Sequence, residues 1–334
     1  MVGQKQHHVV NRAYLSLFCD PNADKPDTIW MSDLKKIKVI RSQPSSVGKR
    51  QHYYSFTDRE GNRSTALEDM LSVLEDEAFP VLFKLALRDA DLSIEERIKL
   101  SLYLATMKFR VPAMRDNIEG FMRRIYQSMT DAVMNHPTAL EGVAKRMSKT
   151  PEEIEAEGLG ELRQFYKENR DMFTIKVDPI VSLRPIIEQS EGIANILAHM
   201  HLSLITTNSE QSHFITSDNP VALRNPALSP GIFDAPGFGQ KNVEVTFPIT
   251  PYVTLLLTHL PGPEIHQATA VEVWELNSRI QGGADRFTFA SDWYLAFRCL
   301  EGIVQGEQIR RRPPWERNAS MPKRHRFRED NSGN

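Results

Sequence analysis

From Val9 to Phe18 apolar side chains fall at Val10, Ala13, Tyr14, Leu17 and Phe18, the i, i+3, i+4, i+7, i+8 spacing of an amphipathic helix, and the pattern stops at Asp20-Pro21. Alternation between Thr28 and Ile40 predicts two strands about a turn near Leu34-Lys35. The Ser-, Pro- and Lys-rich interval from Arg41 to Arg50 reads as an exposed loop. Tyr53-Tyr54-Ser55-Phe56 reads as another short strand, followed by a turn from Asp58 to Gly61.

From Thr65 to about Leu204 the period becomes helical. Three capping boxes mark helix starts, Thr65-x-x-Glu68, Ser93-x-x-Glu96 and Thr150-Pro-x-Glu153, because a hydroxyl and a carboxylate three residues apart satisfy backbone N–H groups that a first helical turn leaves without partners. In the helix opened by Ser93, one stripe runs through Ile94, Ile98, Leu102, Ala105 and Phe109. Leu100, Leu104 and Met107 fill a second face, so this helix is expected at the centre of the fold. The next helix starts at Pro112, with Met114, Ile118, Phe121, Ile125 and Met129 facing inward and Arg115, Arg123 and Arg124 facing water or a polar partner. Further helices are expected at Ala139 to Met147, Pro151 to Asn169 and Ser182 to Leu204.

Beyond Leu204 the chain returns to β-branched and aromatic runs at His213 to Thr216, Val243 to Ile249 and Tyr252 to Thr258, the last two joined as a hairpin at Thr250-Pro251. Helix follows from Ala268 to Gly282, strand from Arg286 to Ala290, and a short amphipathic piece through Trp293 and Leu300. No internal repeat is present. These elements predict an α+β fold, a helical layer over about 65–205 packed on a small mixed or antiparallel sheet whose strands come from 28–56 and 213–290. Shared strands from both ends argue for one domain over 1–305, followed by a basic, flexible tail over 306–334.

Composition narrows the class. In 334 residues there are 41 Lys and Arg against 43 Asp and Glu, a net charge of −2, with 40% of positions hydrophobic. Such a chain can bury a core and is not disordered over most of its length. The longest apolar run, Tyr252 to Leu260, contains Thr254, Thr258 and His259, far short of the roughly 20 apolar residues that span a bilayer. No membrane partner is expected. The first eight residues have no apolar core of the secretory kind, and the only cysteines are Cys19 and Cys299, which together place the protein in the cytoplasm and exclude a multi-cysteine metal site.

Few motifs carry chemistry. Gly237-x-Gly239 lacks the third glycine of a dinucleotide fingerprint, and there is no Walker A, GxSxG or HExxH sequence. His199-x-His201, placed in a helix, would point its rings about 200° apart and could share a metal only if the helix broke. Glu75-Asp76-Glu77 offers oxygen ligands for Mg²⁺ or is simply a charged helix face. The tail, with Arg310-Arg311-Arg312 and Lys323-Arg324-His325-Arg326, is either a phosphate-binding arm for nucleic acid or a solvated terminus. The most pointed segment is His213-Phe-Ile-Thr-Ser-Asp-Asn-Pro220. There Ser217, Asp218 and Asn219 either form a turn through their own backbone or hold a carboxylate at a strand end facing a cleft.

Several of these segments resemble the bacterial domain-of-unknown-function 4238 family. His8-Val-Val-Asn-Arg-Ala-Tyr14-Leu15-x-x-Phe18 is similar to that family's His-x-x-Pro-x-x-Tyr-Leu-x-x-Phe opening. Ile29 to Asp33, Tyr53 to Ser55, Leu67-Glu68 with Glu75, Phe109-Arg110-x-Pro112, Phe214 to Pro220, Phe247 to Pro251 and Leu276-Asn277 follow in the same order. Two positions depart from the pattern. Asn11 stands in place of Pro, which would loosen a helix start, and Met107 stands where a Gln often precedes Arg-x-Pro.

The resemblance implies a role in defence against phage and draws attention to His8, Glu75, Arg110, Ser217, Asp218, Asn219 and Asn277. In a nuclease or other phosphodiesterase, His8 would act as acid or base. Glu75 and Asp218 would orient it or hold Mg²⁺ or Mn²⁺, Arg110 would neutralise a phosphate of RNA or DNA, and Ser217, Asn219 and Asn277 would bind. Two other expectations stand beside that one: a non-catalytic sensor that recognises a phage protein or a nucleotide, and a buried ion-pair network that only holds the fold.

Overall fold

The computed structural model describes residues 6–51, 53–54, 56–57, 63–64, 66–136, 142, 145–146, 148–150, 152–153, 158–208, 212–228 and 235–301. The N-terminal helix is shorter than its sequence pattern. Gln6–His8 forms strand β1, and α1 occupies only Arg12–Ser16, with Asn11 as its N-cap. Five residues cannot sustain a helix alone. Burial does it: Tyr14, Leu15 and Phe18 are all inaccessible, Tyr14 stacks on Phe247 at 5.0 Å, and its hydroxyl donates to the Pro248 carbonyl at 2.7 Å. Strands β2 (Ile29–Asp33) and β3 (Lys38–Ser42) form the expected hairpin. The expected loop after Arg41 is partly ordered. It contains a 3-10 turn at Pro44–Ser46 and strand β4 (Lys49–Gln51), which pairs antiparallel with β1. Tyr53 and Tyr54 lie in a turn instead of a strand, ahead of the short pair β5 (Phe56–Thr57) and β6 (Arg63–Ser64).

The helical region comprises α2 (Ala66–Ala86), α3 (Ile94–Arg110), α4 (Pro112–Asn135), α5 (Leu159–Glu168), α6 (Ile180–Glu188) and α7 (Ser190–His199). The Ser93–Glu96 box caps α3, and Thr150 and Glu153 exchange the bonds of a second box. Thr65 and most of Ala139 to Met147 lie outside the described residues. Helix α3 is central: Leu100, Leu104 and Met107 on its second face are inaccessible, as is Ala105 of the first stripe, whereas Ile94 and Ile98 are 83% and 54% exposed. At about 1.5–3 kcal/mol for each fully buried aliphatic side chain, that face dominates the packing of α3. On α4 the expected sides hold in part: Arg123 and Arg124 are exposed, and Met114, Ile118 and Ile125 are half-buried. Arg115 is buried, donating to Ser182 Oγ at 3.0 Å and to the Tyr53 carbonyl at 2.6 Å, while Phe121 and Met129 are exposed.

The helix expected through Leu204 ends at His199, and His201–Thr206 is strand β7. Strands β8 (Thr216–Ser217), β9 (Ala222–Arg224), β10 (Glu244–Thr250), β11 (Val253–Thr258) and β12 (Ile265–Gln267) follow, then α8 (Ala270–Gly283), β13 (Phe287–Ala290) and a helix, α9, described over 293–301. The α+β class holds, with the strands divided between two principal sheets instead of one. A four-stranded antiparallel sheet, ordered β3-β2-β13-β8, joins both ends of the chain. A five-stranded sheet, ordered β12-β7-β11-β10-β9, is antiparallel except between β12 and β7. One apolar cluster runs from Val9, Tyr14 and Phe18 through α2, α3 and α7 to Leu204, Phe247, Leu255 and Phe289. Among the described residues no helix is long and apolar enough to cross a membrane.

Candidate functional site

The turn that ends β8 is built from its own short polar side chains. Ser217 Oγ accepts from the Asn219 N–H at 3.1 Å, and Asn219 Nδ2 donates to the Gly283 carbonyl at 2.7 Å. Asp218, 5% exposed, accepts from the backbone N–H groups of Asp285, Arg286 and Phe287, each at 2.9 Å. Burial pushes its carboxyl above the ordinary value against the pull of these three donors. Asn277 works in the same way from α8, accepting from the Ile215 N–H at 3.0 Å and donating to the His213 carbonyl at 2.8 Å. It supplies the backbone with the donor and acceptor a neighbouring strand would have given. Ser217, Asp218 and Asn219 gather around the start of β13 while Asn277 holds the residues ahead of β8, and the bonds of all four go to backbone, with Asn219 Oδ1 buried without a partner.

Glu75 and Arg110 meet elsewhere, where α2 passes the C-terminal end of α3. Arg110, 1% exposed, donates through Nη1 to Glu75 Oε1, and Asn11 donates through Nδ2 to Glu75 Oε2. Burial alone would weaken the hold of Arg110 on its proton; the Glu75 carboxylate opposes this and prevails, so the guanidinium stays charged. Asn11 also accepts from the Ala13 and Tyr14 N–H groups through Oδ1. The departure from Pro therefore tightens the start of α1 instead of loosening it, and links it to α2. Met107, the other departure, is fully buried in the apolar core. The backbone of His8 lies in β1, and its side chain is outside the described residues.

His213, which the sequence places only within the segment ending at Pro220, stands in an open cleft. His213 lines a cleft of about 910 Å³ together with Arg12, Arg88, Tyr252, Ser291 and Asp292. Its Nδ1 lies 3.3 Å from Ser291 Oγ and 3.6 Å from Asp292 Oδ2, its Nε2 is buried without a partner, and its ring meets Tyr252 edge-on at 4.9 Å. Burial works to raise the Asp292 carboxyl; the bonds from His213 and from the Leu295 and Tyr294 N–H groups outweigh it and hold the carboxyl below its ordinary value. Arg12 and Arg88 are exposed, and among the described residues neither forms an ion pair. Arg88 donates to Asn208 Oδ1 at 2.8 Å. A second depression, about 570 Å³, shares Arg12, Ser16 and Leu17 with this cleft and has Asn11 and Glu75 in its wall. The only sequence signal for His213 was its place in the segment ending at Pro220. Its partners lie 78 and 79 residues further on, beyond any local motif.

No three His, Cys, Asp or Glu side chains come together to hold a metal ion among the described residues. The helix does break between His199 and His201, yet His199 Nδ1 sits 2.7 Å from the Asn195 carbonyl and His201 enters β7. Comparison with curated proteins and with solved structures returns no match. The model of a family described as "Protein of unknown function (DUF4238)" matches residues 6–293 of the 334, and the chain belongs to that family.

Proposed function

We propose that this protein is a phage-defence factor that binds a phosphate-bearing ligand, a nucleotide or a nucleic-acid strand, in the cleft at His213. The observation that carries the reading is the pairing of Arg12 and Arg88 in that cleft, both exposed and neither neutralised by a carboxylate among the described residues. Guanidinium groups left in this state are suited to phosphate, which they meet with two parallel N–H donors. Three carboxylates line the same cleft: Asp20 accepts from the Asn22 N–H at 2.9 Å, Asp292 faces His213, and Asp27 is exposed.

Sensing is favoured over cutting because the residues a phosphodiesterase would need are spent internally. Asp218 holds three backbone N–H groups, and Arg110 is enclosed behind Glu75. One observation keeps a hydrolytic reading in play, the His213–Asp292 pair in the cleft wall, which is the arrangement that orients an imidazole as acid or base.

The test is incubation of the purified full chain with labelled RNA, tRNA and DNA, with Mg²⁺, Mn²⁺ or chelator, beside Arg12→Ala, Arg88→Ala and His213→Ala. Binding without cleavage, weakened in both arginine variants, is the expected result. Cleavage lost in His213→Ala moves the reading to a nuclease at this cleft, and failure of every nucleic acid and of free nucleotides to bind removes the phosphate reading.

A further inference from the structure

His213 also lines a second groove, about 830 Å³, between α8 and α9. Two aromatic side chains in its wall are left largely in water, Trp274 of α8 at 63% exposure and Tyr294 of α9 at 57%. Trp293 and Phe297, stacked on one another at 5.0 Å, extend the aromatic surface of α9 and are exposed as well. Large aromatic rings contribute 150–250 Å² of burial each when covered, so several exposed together mark a surface that meets a partner. Two of the chain's four tryptophans are here. Arg298 stands in the same wall with its charge paired to Glu301, whose carboxylate lies 3.4 Å away and also lines the groove. Its guanidinium lies 5.8 Å from the Tyr294 ring centroid and donates to the Tyr294 hydroxyl at 3.2 Å, which steadies the ring.

The geometry points to a track for single-stranded nucleic acid, with phosphate held at Arg12 and Arg88 on one side of His213 and unpaired bases stacked on Trp274 and Tyr294 on the other. This rests on the phosphate reading of the first cleft, with which the groove shares His213 in its wall. Exposed rings suit bases because every base presents a π-face, whatever the sequence. A duplex hides those faces. The groove therefore selects single strands and reads little sequence.

The probes are a fluorescent twelve-residue oligouridine, its deoxythymidine counterpart, the duplex of each with its complement, and uridine monophosphate. Each is titrated into the full chain and into the Trp274→Ala, Trp274→Phe, Tyr294→Ala and Arg12→Ala variants, with light scattering alongside. Both aromatic positions are exposed, so these substitutions leave the core intact. Expected are tighter binding of single strands than of duplexes, and a loss of about 5- to 100-fold in each aromatic alanine variant, the range that stacking of one base gives. Trp274→Phe should recover most of the affinity, while uridine monophosphate binding stays unchanged in the aromatic variants and falls in Arg12→Ala. Oligonucleotide binding equal to wild type in both aromatic alanine variants overturns the track and leaves the first cleft standing. A wild-type protein that binds strands through the aromatic residues but ignores uridine monophosphate would instead remove the phosphate reading. A dimer that Trp274→Ala dissociates assigns the surface to a second copy of the chain and overturns the track as well.

Discussion

Arg110 is the largest fully buried side chain among the described residues, and Glu75 is its one charged partner there, the two joining the C-terminal end of α3 to the middle of α2. The pair is incompletely satisfied. Arg110 Nε and Nη2 are buried without partners, while the second oxygen of Glu75 is taken by Asn11. Such a pair resists loss of one member far more than loss of both, because a lone buried charge keeps its desolvation cost with nothing to offset it.

Glu75→Ala should therefore destabilise the fold by about 3–5 kcal/mol, whereas Arg110→Met combined with Glu75→Gln should cost much less than either single change. Urea unfolding of Glu75→Ala, of Arg110→Met, of Glu75→Gln and of the double variant checks this. A double variant as unstable as the worse single one would show that Arg110 has a further partner which matters more than Glu75.

Asn11 gives a second expectation. It caps α1 through Oδ1 and holds Glu75 through Nδ2, so Asn11→Ala should cost about 1–2 kcal/mol. Its φ of −57° is one that a proline ring holds without strain. Asn11→Pro loses the same bonds but restricts the unfolded chain, which returns about 0.4–1 kcal/mol, and should be the milder change. Thermal melts decide the order, and a proline variant less stable than the alanine one refutes it.

How far the sequence announces this architecture depends on whether the signal is local. The β10–β11 hairpin and the caps at Ser93 and Thr150 are legible because a turn dipeptide or a hydroxyl three residues from a carboxylate is itself the cause of the element. Leu202 and Leu204 are misread as helix because Ile193, Leu197, Met200 and Leu204 keep helical spacing across the end of α7, while β7 buries Ser203 and Thr206 along with its leucines. Which face of α3 is more deeply covered is hidden for a different reason. Ile94 and Ile98 stand on a regular stripe, but only the partners of α3 decide which of its two apolar faces is covered. At the candidate site, the segment from His213 to Asn219 was visible as polar residues at a strand end. Their assignments turn on Asp285 to Phe287, Ser291 and Asp292, which only the fold brings close.

Asp33 should make the fold acid-sensitive. Arg286 grips its two oxygens at 3.0 and 2.6 Å, and this bond, against burial and aided by the Lys35 and Lys36 N–H groups, holds the carboxyl below its ordinary 3.8. As pH falls, the unfolded chain takes up the proton first, so the stabilisation is complete above about pH 5 and is lost as pH drops through the folded value. Asp33→Asn should lower stability at pH 7 by about 1–3 kcal/mol, and the difference from wild type should close on acidification. A difference that stays constant from pH 7 to pH 3 would contradict the ion pair.

Lys108 should act in the opposite pH range. Burial pulls its ammonium from the ordinary 10.5 down to about 8, and its bond to the Val221 carbonyl at 2.9 Å is to a neutral acceptor. Between pH 8 and 10.5 the unfolded lysine binds its proton more tightly than the folded one, so stability attributable to this group rises with pH across that window. Below it the folded protein carries a buried cation, a handicap of up to about 3 kcal/mol. Lys108→Met removes the handicap and forfeits about 1 kcal/mol with the bond to Val221, so the variant should be the more stable protein at pH 7 by about 1–2 kcal/mol. Its advantage should shrink toward pH 10 as wild-type Lys108 becomes neutral. Chemical denaturation at pH 7, 8, 9 and 10 measures that gap directly, and a gap independent of pH would mean that Lys108 remains charged in the fold, held by water or by an acceptor other than Val221.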